Sequence, residues 1–493
     1  MRLILILAAA IGLLPAPVEY TSSEGFCVRE KVEVKLNKRP FREAVASLEP
    51  FQQKEAYRIT IRKKKIRIEA LTEEGVFRAR TTLEQMQAQG PIPCCTLLDY
   101  PRFRHRGMMM DESRSFKGLP FLKKQVDAMA LLKLNVLHLH LDDSAGWRIE
   151  IQSRPELTAK TAFRRGWDYF AWEAGKYQFA TEADGDGGFY TQEELKELVA
   201  YCADRYITVI PEIEMPGHSM EVGYAYPEVW CTQADGTPFK GSWDLCPGSE
   251  ETFALLEDVL TEVMAVFPGP YIHVGGDEAT MKTWPLCTRC RQRMQEEGLT
   301  DVKQLQGYLM RRVESFVHSH GRRIIGWDEI LETGVPEDAI VQSWRGIEGG
   351  VKGSQAGHDV ILSPSTHCYL NYYQDLIRKE PKATGELVSL RFCYGYEPIT
   401  ADIAAEHILG LQGNLWCEYI PEPKHAEYML YPRLFAIAET AWTPKERKEW
   451  WDFRRRARQM QTVFRKLGYN TFDLDSESEL AASGFQRFEQ LKK

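Results

Sequence analysis

The chain has 493 residues, of which 44% are hydrophobic and 27% are charged, a balance typical of soluble globular proteins. Its net charge at pH 7 is −8, and no basic stripe with interleaved aromatic residues occurs, which argues against a nucleic-acid partner. The length exceeds that of one ordinary domain and accommodates a large barrel together with a smaller domain.

The first 20 residues have the layout of a secretory signal peptide. Arg2 precedes an apolar run that ends near Leu14, and Pro15-Ala16-Pro17 follows. The run is too short for a comfortable transmembrane helix. We therefore expect residues 1–20 to be a signal peptide, the protein to be exported to a periplasmic or extracellular location, and no segment to span a membrane.

Residues 21–100 form a predicted small α+β domain. Val32–Leu36, Tyr57–Ile61 and Ile66–Ala70 alternate apolar and polar residues, which is typical of strands with one solvated face. The segment Glu74–Ala88 has helical periodicity and completes this domain.

Residues 101–450 alternate between strand and helix patterns. Several candidate strands are nearly continuous apolar runs, as expected of parallel strands that helices cover on both faces. Eight alternations over this length predict an α/β fold, a (β/α)8 TIM barrel, and the absence of a glycine-rich phosphate fingerprint after the first strand disfavours a dinucleotide-binding sheet. Residues 451–493 are predicted to be a charged helical tail packed on the barrel. The predicted barrel strands are Gly107–Asp111, Val136–Asp142, Thr208–Glu214, Tyr271–Gly275, Arg323–Trp327, Ala339–Trp344, Asp359–Leu362 and Leu411–Trp416, and clear helices between them are Phe121–Leu134, Gln192–Tyr206, Glu250–Phe267 and Leu305–His320.

Chemically active residue types gather where the predicted strands end. TIM-barrel active sites lie at the carboxyl ends of the strands, so this concentration predicts a functional site. The strand-end residues are Asp111, Arg114, His140, Asp143, Glu214, His218, Asp277, Glu278, Trp327, Asp328, Trp344, Tyr369, Trp416 and Glu418.

The adjacent acids Asp277 and Glu278 follow a buried strand that breaks at two glycines, in Tyr271-Ile-His-Val-Gly-Gly-Asp-Glu278. Neighbouring buried acids are costly unless a cation, or a group that becomes cationic during a reaction, lies between them. Glycosidic bond cleavage passes through an oxocarbenium-like sugar and requires an acid to protonate the leaving oxygen. The alternative is that the pair lies in a solvated loop that caps a helix.

The 11 cysteines suggest local cross-links rather than a metal site. Cys231 and Cys246 bracket a loop and can form a disulfide in an oxidising compartment. Cys287 and Cys290 have the spacing of half a zinc site, but no second pair has a matching spacing. We therefore predict no metal and no cofactor, and expect a local disulfide or two free thiols at Cys287 and Cys290.

Six short motifs occur in order, each at the end of a predicted barrel strand: Arg106-Gly-Met-Met-Met-Asp-Glu-Ser-Arg114, His138-Leu-His-Leu-Asp-Asp143, Pro211-Glu-Ile-Glu-Met-Pro-Gly-His218, His273-Val-Gly-Gly-Asp-Glu278, Gly326-Trp-Asp-Glu329 and Gly413-Asn-Leu-Trp-Cys-Glu418. Together they resemble the β-N-acetylhexosaminidases of glycoside hydrolase family 20. The resemblance covers nearly everything after the predicted signal peptide. It implies an exo-acting enzyme that removes terminal, non-reducing β-linked N-acetylglucosamine or N-acetylgalactosamine with retention, using the 2-acetamido oxygen of the substrate as the nucleophile.

The resemblance also implies the catalytic roles. Glu278 is the expected general acid/base, and Asp277 is expected to orient the acetamido group and to offset the charge of the oxazolinium intermediate. His218 and Asp143 resemble the relay that orients Glu278, and we expect acidic neighbours to help keep Glu278 protonated. Tyr369 is expected to donate a hydrogen bond to the amide oxygen as charge develops there.

The implied substrate-binding residues surround the sugar. The resemblance assigns an apolar cage to three tryptophans and the ring hydroxyls to a cation and an acid, namely Trp327, Trp344, Trp416, Arg114 and Glu418. A salt bridge from Arg114 to Asp111 is the simpler alternative, and the two roles are compatible. Asn371 departs from the family pattern, because many relatives have Asp in the corresponding Tyr-Leu-Asp motif, at a position that faces O4 and O6. An amide there removes a negative charge and adds a donor, so we expect tolerance of anionic O6 substituents such as sulfate.

Two other functions fit parts of the sequence. His138 and His140 place two imidazoles on one face of a strand, which is also a spacing of metal-dependent barrel hydrolases, although His218 is the one further strand-end histidine. A catalytically inactive glycan-binding protein on the same scaffold is the other alternative, and the intact acid pair with Tyr369 argues against it. The expected partner is a glycan with a terminal N-acetylhexosamine.

Overall fold

The computed structural model describes residues 12–28, 31–166, 178–239, 242–334, 336 and 338–484. Residues 1–11, the apolar part of the predicted signal peptide, lie outside this set. The described chain forms a small N-terminal domain, a closed barrel and C-terminal helices. Among the helices described, none has the combination of length and apolar character that a bilayer span requires.

The N-terminal domain contains a five-stranded sheet. Its strands lie in the spatial order Glu19–Phe26, Pro93–Asp99, Tyr57–Arg62, Lys65–Ala70 and Val32–Leu36. Neighbours are antiparallel except for the last pair, which is parallel. The helix Glu73–Gln89 packs on this sheet, with Thr72 as its N-cap, and the short helices Arg39–Ala44 and Pro50–Glu55 complete the domain.

The two strands that sequence patterning missed lack the alternation that revealed the others. All eight residues of Glu19–Phe26 are at least partly exposed, because this strand lies at the edge of the sheet. Its pairing with Pro93–Asp99 becomes visible only in three dimensions.

The segment before the first strand is part of the fold. Leu13 and Leu14 are buried, and the Leu14 amide donates to Gln85 Oε1 at 2.9 Å. The Ala16 amide donates to Glu439 Oε2, also at 2.9 Å. The last part of the predicted signal peptide, residues 1–20, therefore makes contacts with both the N-terminal domain and the C-terminal helices of the barrel.

Eight parallel strands close into a barrel, which confirms the predicted (β/α)8 fold. Each strand pairs with the next along the chain, and the eighth pairs with the first. In chain order, the first to eighth barrel strands are His105–Asp111, Val136–His140, Thr208–Met215, Tyr271–Gly275, Arg323–Trp327, Ile340–Ser343, Val360–Leu362 and Ile408–Leu415.

Helices surround the barrel, and several begin where the sequence provides a cap. Thr191 with Glu194, and Asp301 with Gln304, form capping boxes. The described α-helices of this region are Leu119–Leu131, Glu156–Thr161, Gln192–Ala203, Met220–Ala225, Glu250–Val266, Thr288–Glu296, Val302–Ser319, Glu348–Gln355, Ser365–Cys368, Leu390–Gly395, Pro423–Leu430 and Arg433–Trp442. Short 3-10 helices are Pro227–Val229, Asp328–Glu332, Ile377–Lys379, Ala405–His407 and Lys445–Arg447, and minor strands are Asp142–Asp143, Gly146–Trp147, Phe163–Arg165, Gln178–Ala180, Asp186–Gly187, Tyr372–Tyr373 and Thr384–Leu387.

The C-terminal segment contains the helices Trp450–Lys466 and Glu479–Ser483. The apolar face of the longer helix, which includes Phe453 and Phe464, is buried in the barrel's main hydrophobic cluster. Residues 485–493 of the predicted tail lie outside the described residues.

Buried ion pairs join the N-terminal domain to the barrel. Arg106, in the first barrel strand, lies 2.6 Å from Glu55, and Lys133, just before the second strand, lies 2.7 Å from Asp99. Both contacts are at the amino-terminal end of the strands, where conserved barrel features serve stability rather than chemistry. The opposite end of the barrel is left open for a site.

All 11 cysteines lie in the described part of the chain, and none forms a disulfide. The Cys231–Cys246 disulfide that loop composition suggested is therefore not formed. Both thiols instead lie beside Cys287 and Cys290, because the loops after the third and fourth barrel strands converge.

Candidate active site

A pocket of about 210 Å³ opens at the carboxyl ends of the barrel strands. Nine predicted site residues line it: Arg114, His218, Asp277, Glu278, Trp344, Tyr369, Asn371, Trp416 and Glu418. Tyr372, Thr384 and Gly385 also line it and were not predicted, because they follow the motif of Tyr369 and Asn371 in a stretch that has no motif of its own. Asp143 and Trp327 are buried behind the lining.

Two glycines determine how the acid pair enters the pocket. Gly275 and Gly276 have positive φ angles of 61° and 99°. A Cβ atom at Gly275 would lie 1.8 Å from Glu214 Oε2, so no larger residue fits there. The chain therefore turns sharply at the end of the fourth strand and presents Asp277 and Glu278 to the pocket.

Glu278 itself has a φ angle of 47°, a conformation that costs a non-glycine residue about 1–2 kcal/mol. Asp244, a buried residue of the preceding loop, holds the following turn. It accepts hydrogen bonds from the Thr280 amide at 3.0 Å, the Thr280 hydroxyl at 2.6 Å and the Met281 amide at 2.7 Å. These three bonds stabilise the strained backbone at Glu278.

His218 connects Glu278 to buried Asp143. His218 Nε2 lies 3.3 Å from Glu278 Oε2 and 3.7 Å from Asp277 Oδ2. On the other side of the ring, His218 Nδ1 lies 3.2 Å from Asp143 Oδ2. The predicted grouping of these four residues is therefore present in the structure.

The charges of this group favour a protonated His218. Burial alone lowers the pKa of His218, but Asp143, Glu278 and Asp277 together raise it well above its usual value. Burial likewise opposes ionisation of Asp143, but Arg114 and His218 lower the pKa of this carboxyl below its usual range. His218 is thus an imidazolium between carboxylates.

This arrangement corrects one expectation. Acidic neighbours were expected to keep Glu278 protonated, but its hydrogen bond with His218 is the largest influence and lowers its pKa. The side chain of Glu278 is 59% exposed, so water also stabilises its charge. A ligand that covers Glu278 would remove this water and oppose ionisation.

Asp277 responds in the opposite way. Its side chain is buried, and the resulting desolvation raises its pKa; His218 opposes this rise, whereas Glu212 and Glu278 add to it. A charged Asp277 is therefore costly in the free protein and would be stabilised by a positive charge placed beside it.

Arg114 forms the salt bridge to Asp111 that was the simpler alternative, and it forms a second ion pair with Asp143. Its Nη1 lies 3.3 Å from Asp111 Oδ2, and its Nη2 lies 2.5 Å from Asp143 Oδ2. It also lines the pocket, with its guanidinium 4.9 Å from the centroid of the Trp416 ring. Asp111 and Asp143 therefore hold the positively charged guanidinium of Arg114 at the edge of the pocket.

Two of the three predicted cage tryptophans face the pocket. Trp344 stacks on Tyr369 with ring centroids 6.1 Å apart, and Trp416 lies at the same distance from Tyr369. Trp327 is only 1% exposed and lies one layer deeper, where its ring contacts Trp416 and its Nε1 donates to Glu212 Oε1 at 2.8 Å. Trp327 therefore supports the cage, because its strand ends below the rim.

His138, His140 and His273 all contact the buried carboxylate of Glu212. Trp327 donates to the same carboxylate, and an indole nitrogen is not a metal ligand. The histidine pattern that suggested a metal-dependent hydrolase therefore belongs to a hydrogen-bonded cluster beneath the pocket.

Two acids near the pocket were not assigned roles from the sequence. Glu329 accepts from Trp344 Nε1 at 3.0 Å, and burial together with Asp277 raises its pKa to about 8. Glu214 is buried against Gly275, and desolvation with its acidic neighbours raises its pKa well above the usual value. Both lie within recognised motifs, but their protonation depends on contacts that the motifs do not reveal.

Comparisons with known proteins agree with this geometry. Residues 103–445 match the family model "Glycosyl hydrolase family 20, catalytic domain", and residues 16–100 match "Glycosyl hydrolase family 20, domain 2". A β-hexosaminidase of Porphyromonas gingivalis is 41% identical over 74% of this chain and 46% of its own length. A β-hexosaminidase of Vibrio furnissii is 39% identical over 78% of this chain and 64% of its own length.

Solved structures show the same fold. A GH20 exo-β-N-acetylglucosaminidase from Vibrio harveyi, in complex with N-acetylglucosamine, has a TM-score of 0.81 and 30% identity, covering 94% of this chain and 78% of its own. The β-N-acetylhexosaminidase of Bacteroides fragilis has a TM-score of 0.78 and 26% identity, covering 97% and 99%. The chain spans about half to two thirds of the length of the two β-hexosaminidases above. With a family model matched over most of its length and this pocket at the barrel rim, the chain belongs to glycosyl hydrolase family 20.

Proposed function

We propose that this protein is a β-N-acetylhexosaminidase that releases terminal, non-reducing β-linked N-acetylglucosamine or N-acetylgalactosamine with retention. The observation that carries the proposal is the acid pair in the pocket at the barrel rim: Asp277, Glu278 and His218 have polar atoms within 4.8 Å of one another. An inverting glycosidase separates its carboxyl groups by about 6.5–9.5 Å to admit a water molecule. Asp277 and Glu278 are too close for that arrangement, which disfavours inversion by this pair and is compatible with retention through a nucleophile on the substrate.

The different environments of the two acids support different roles. Glu278 is exposed and lies at the mouth of the group, where it can protonate a leaving oxygen. Asp277 is buried and costly to ionise alone, so a positive charge on a neighbouring acetamido nitrogen would be stabilised by it. This is the charge that an oxazolinium intermediate carries, and we infer that the acetamido oxygen of the substrate is the nucleophile.

Proton supply follows from the His218 contacts. Substrate that covers Glu278 removes the water that stabilises its charge, so the proton shared with His218 moves toward Glu278. Asp143 keeps the imidazole oriented while this happens. His218 is thus a positioning residue, and Glu278 is the group that transfers the proton.

The size of the pocket supports exo action. Its volume of about 210 Å³ is below the roughly 300 Å³ at which pockets for drug-sized ligands begin, and matches a single sugar ring. Trp416 and Tyr369 provide apolar walls, while Arg114 and Glu418 provide charged groups for ring hydroxyls. One terminal residue therefore fits, and the rest of a glycan would extend into solvent.

Substitution of each acid tests the proposal. With a chromogenic N-acetylglucosaminide, we expect Asp277→Asn and Glu278→Gln each to lower kcat by at least about 100-fold. Glu221→Gln, which changes a buried acid outside the pocket, is the matched control and should retain activity. We expect a thiazoline mimic of the cyclised intermediate to inhibit, and the first product seen by NMR to be the β-anomer.

Other outcomes favour the rival functions. A wild-type protein that binds N-acetylhexosamines without turnover is a glycan-binding protein. Rapid loss of turnover with a chelator, with the thiazoline inactive, indicates metal-dependent hydrolysis. A covalent adduct on Asp277 after treatment with a 2-deoxy-2-fluoro glycoside would show that the protein supplies the nucleophile, contrary to the proposal.

We further propose that the pocket tolerates sulfate at O6 of the sugar. Asn371 is buried in the lining and is neutral, where a carboxylate would repel a sulfate. Its Nδ2 donates to Thr384 Oγ1 at 2.7 Å, so the absence of a charge, rather than an added donor, supports this proposal. We expect Asn371→Asp to lower the ratio of sulfated to plain substrate turnover, whereas Thr384→Val, which removes the hydrogen bond without a charge, should preserve it. An unchanged ratio in Asn371→Asp would refute sulfate tolerance by this route.

Export is a separate proposal, supported by the apolar run before Leu14. N-terminal sequencing of protein recovered outside the cytoplasm tests it. We expect the first residue to precede Leu13, since Leu13 and Leu14 are buried in the fold. Recovery of the uncleaved chain in the cytoplasm alone would refute export.

A further inference from the structure

Four buried thiols meet beside the active site, at a place no catalytic role requires. Cys231 and Cys246 belong to the loop after the third barrel strand, and Cys287 and Cys290 belong to the loop and helix after the fourth. All four are fully buried, and one ligand atom from each lies within 4.8 Å of the others. Spacing revealed only half of this group, Cys287 and Cys290, because Cys231 and Cys246 are separated by a long loop rather than by two residues.

The sulfur distances match tetrahedral coordination. Cys290 Sγ lies 3.6 Å from Cys231 Sγ and 3.5 Å from Cys246 Sγ, and Cys246 Sγ lies 3.8 Å from Cys287 Sγ. Four sulfurs at the Zn–S bond length of about 2.3 Å in a tetrahedron are about 3.8 Å apart. Cys246 and Cys290 each contact two partners, so the thiols are not arranged as two separate disulfide pairs, which need S–S distances of about 2.05 Å.

The backbone around the thiols is built to bring them together. Cys287 is the N-cap of the helix Thr288–Glu296, and Cys290 lies in its first turn, so amide groups of the helix start face the sulfurs. Gly248 lies against this turn, where a Cβ atom would be 2.4 Å from the Cys290 backbone nitrogen. Only glycine permits that approach.

The surroundings are apolar. Trp284 and Leu305 pack around the four cysteines in one buried cluster. Trp284 Nε1 donates a hydrogen bond to the Leu245 carbonyl oxygen at 3.0 Å. Four thiols in such a place make weak hydrogen bonds and little else. A divalent metal would convert them into a strong cross-link, with release of thiol protons to solvent.

We propose that Cys231, Cys246, Cys287 and Cys290 bind one zinc ion as a structural tetrathiolate site. The four protein ligands fill the coordination sphere, so the metal has no open position and takes no part in the chemistry. The spacing argument against a metal applies to pairs of ligands that are close in the chain, whereas this site is assembled from two separate loops.

The site would fasten the catalytic loops to each other. Asp244, two residues before Cys246, holds Thr280 and Met281 just after Glu278. The Leu245 amide donates to the Pro216 carbonyl at 2.8 Å, two residues before His218. A metal that fixes Cys246 therefore fixes the segment that positions both His218 and Glu278.

Metal analysis of the full chain tests the proposal. Protein purified without immobilised-metal chromatography should contain about one zinc per chain, and X-ray absorption at the zinc edge should show four sulfurs at about 2.3 Å. We expect Cys290→Ser to lose the zinc, whereas Cys202→Ser, which changes a buried cysteine on a different helix, should keep it.

The wild-type measurements decide the matter even if Cys290→Ser fails to fold. Alkylation in denaturant with a chelator should modify all four thiols of wild-type protein. Two disulfides among these cysteines in peptide mapping would overturn the proposal, and so would four free thiols without zinc or a zinc shell of nitrogen and oxygen.

Discussion

Asp244 offers a direct test of how the backbone at Glu278 is held. Asp244 accepts three hydrogen bonds from Thr280 and Met281, and hydrogen bonds to a charged group contribute about 1.5–3 kcal/mol each. Against this, the positive φ angle of Glu278 costs about 1–2 kcal/mol. With Asp244→Ala, the loop loses more stabilisation than the strain it releases, so Glu278 leaves its productive position.

With each bond at the lower value, about 4.5 kcal/mol is lost and about 1.5 kcal/mol of strain is released, so we expect a net loss of at least about 3 kcal/mol in Asp244→Ala, or a fall in kcat of more than about 100-fold with a small change in KM. The loss should depend on the leaving group, because a general acid matters less when the leaving group is activated. A 4-nitrophenyl glycoside and a disaccharide are therefore compared with the same enzyme. Thr280→Val removes one bond, about 1.5 kcal/mol at the lower value, and keeps both backbone bonds, so it should lower kcat by about tenfold and by less than Asp244→Ala does.

The reasoning fails if Asp244→Ala has kcat within threefold of wild type. It also fails if both leaving groups lose activity equally while the melting temperature is unchanged, because a misplaced acid must discriminate between them. An unfolded Asp244→Ala would be recognised by circular dichroism, and Asp244→Asn, which keeps the shape and one acceptor oxygen, then provides the same comparison.

Three further predictions concern protons and packing. His218→Asn should move the basic limb of the kcat/KM profile to lower pH. The pKa of His218 is raised, so the His218–Glu278 pair keeps its shared proton to a higher pH than Glu278 would alone. A basic limb that does not move would refute this. Removing residues 1–17 should lower the free energy of unfolding, measured with urea, by about 3–5 kcal/mol, because the buried side chains of Leu13 and Leu14 are lost. Removing residues 1–11 leaves both leucines in place and should lower it by less than about 1 kcal/mol. Glu214 has a folded-state pKa raised above its unfolded value, so its contribution to the free energy of unfolding falls as pH rises from about 4 toward that pKa. Glu214→Gln should remove this pH dependence. Equal slopes of the free energy of unfolding against pH in both proteins would contradict the raised pKa.

The barrel was predictable because its signal is local. Buried parallel strands such as Tyr271–Gly275 are continuous apolar runs, and their carboxyl ends carry the reactive residues. Strand-end position alone therefore placed His218 and the acid pair in one pocket. The same reasoning predicted that Trp327 lines the pocket, whereas Trp327 lies beneath the lining. Sequence position does not show how far each strand extends toward the rim of the barrel.

Features that depend on two distant segments were missed. The four thiols come from separate loops, and the edge strand Glu19–Phe26 has no buried face of its own. The protonation of Glu278 was also misjudged, because the motif shows its acidic neighbour in the chain but not the distance to the His218 ring. Such properties are set by packing, which sequence spacing does not specify.

The excursion after the seventh strand separates selectivity from reactivity. Tyr372, Thr384 and Gly385 line one wall of the pocket, yet none of them touches the His218 group through a hydrogen bond described for this chain. Exchange of residues 372–387 alone, which leaves Tyr369 in place, would thus alter which sugars enter while the acids, their imidazole and Tyr369 stay as they are. Diversification of such a protein toward new glycans has a route that leaves its chemistry intact.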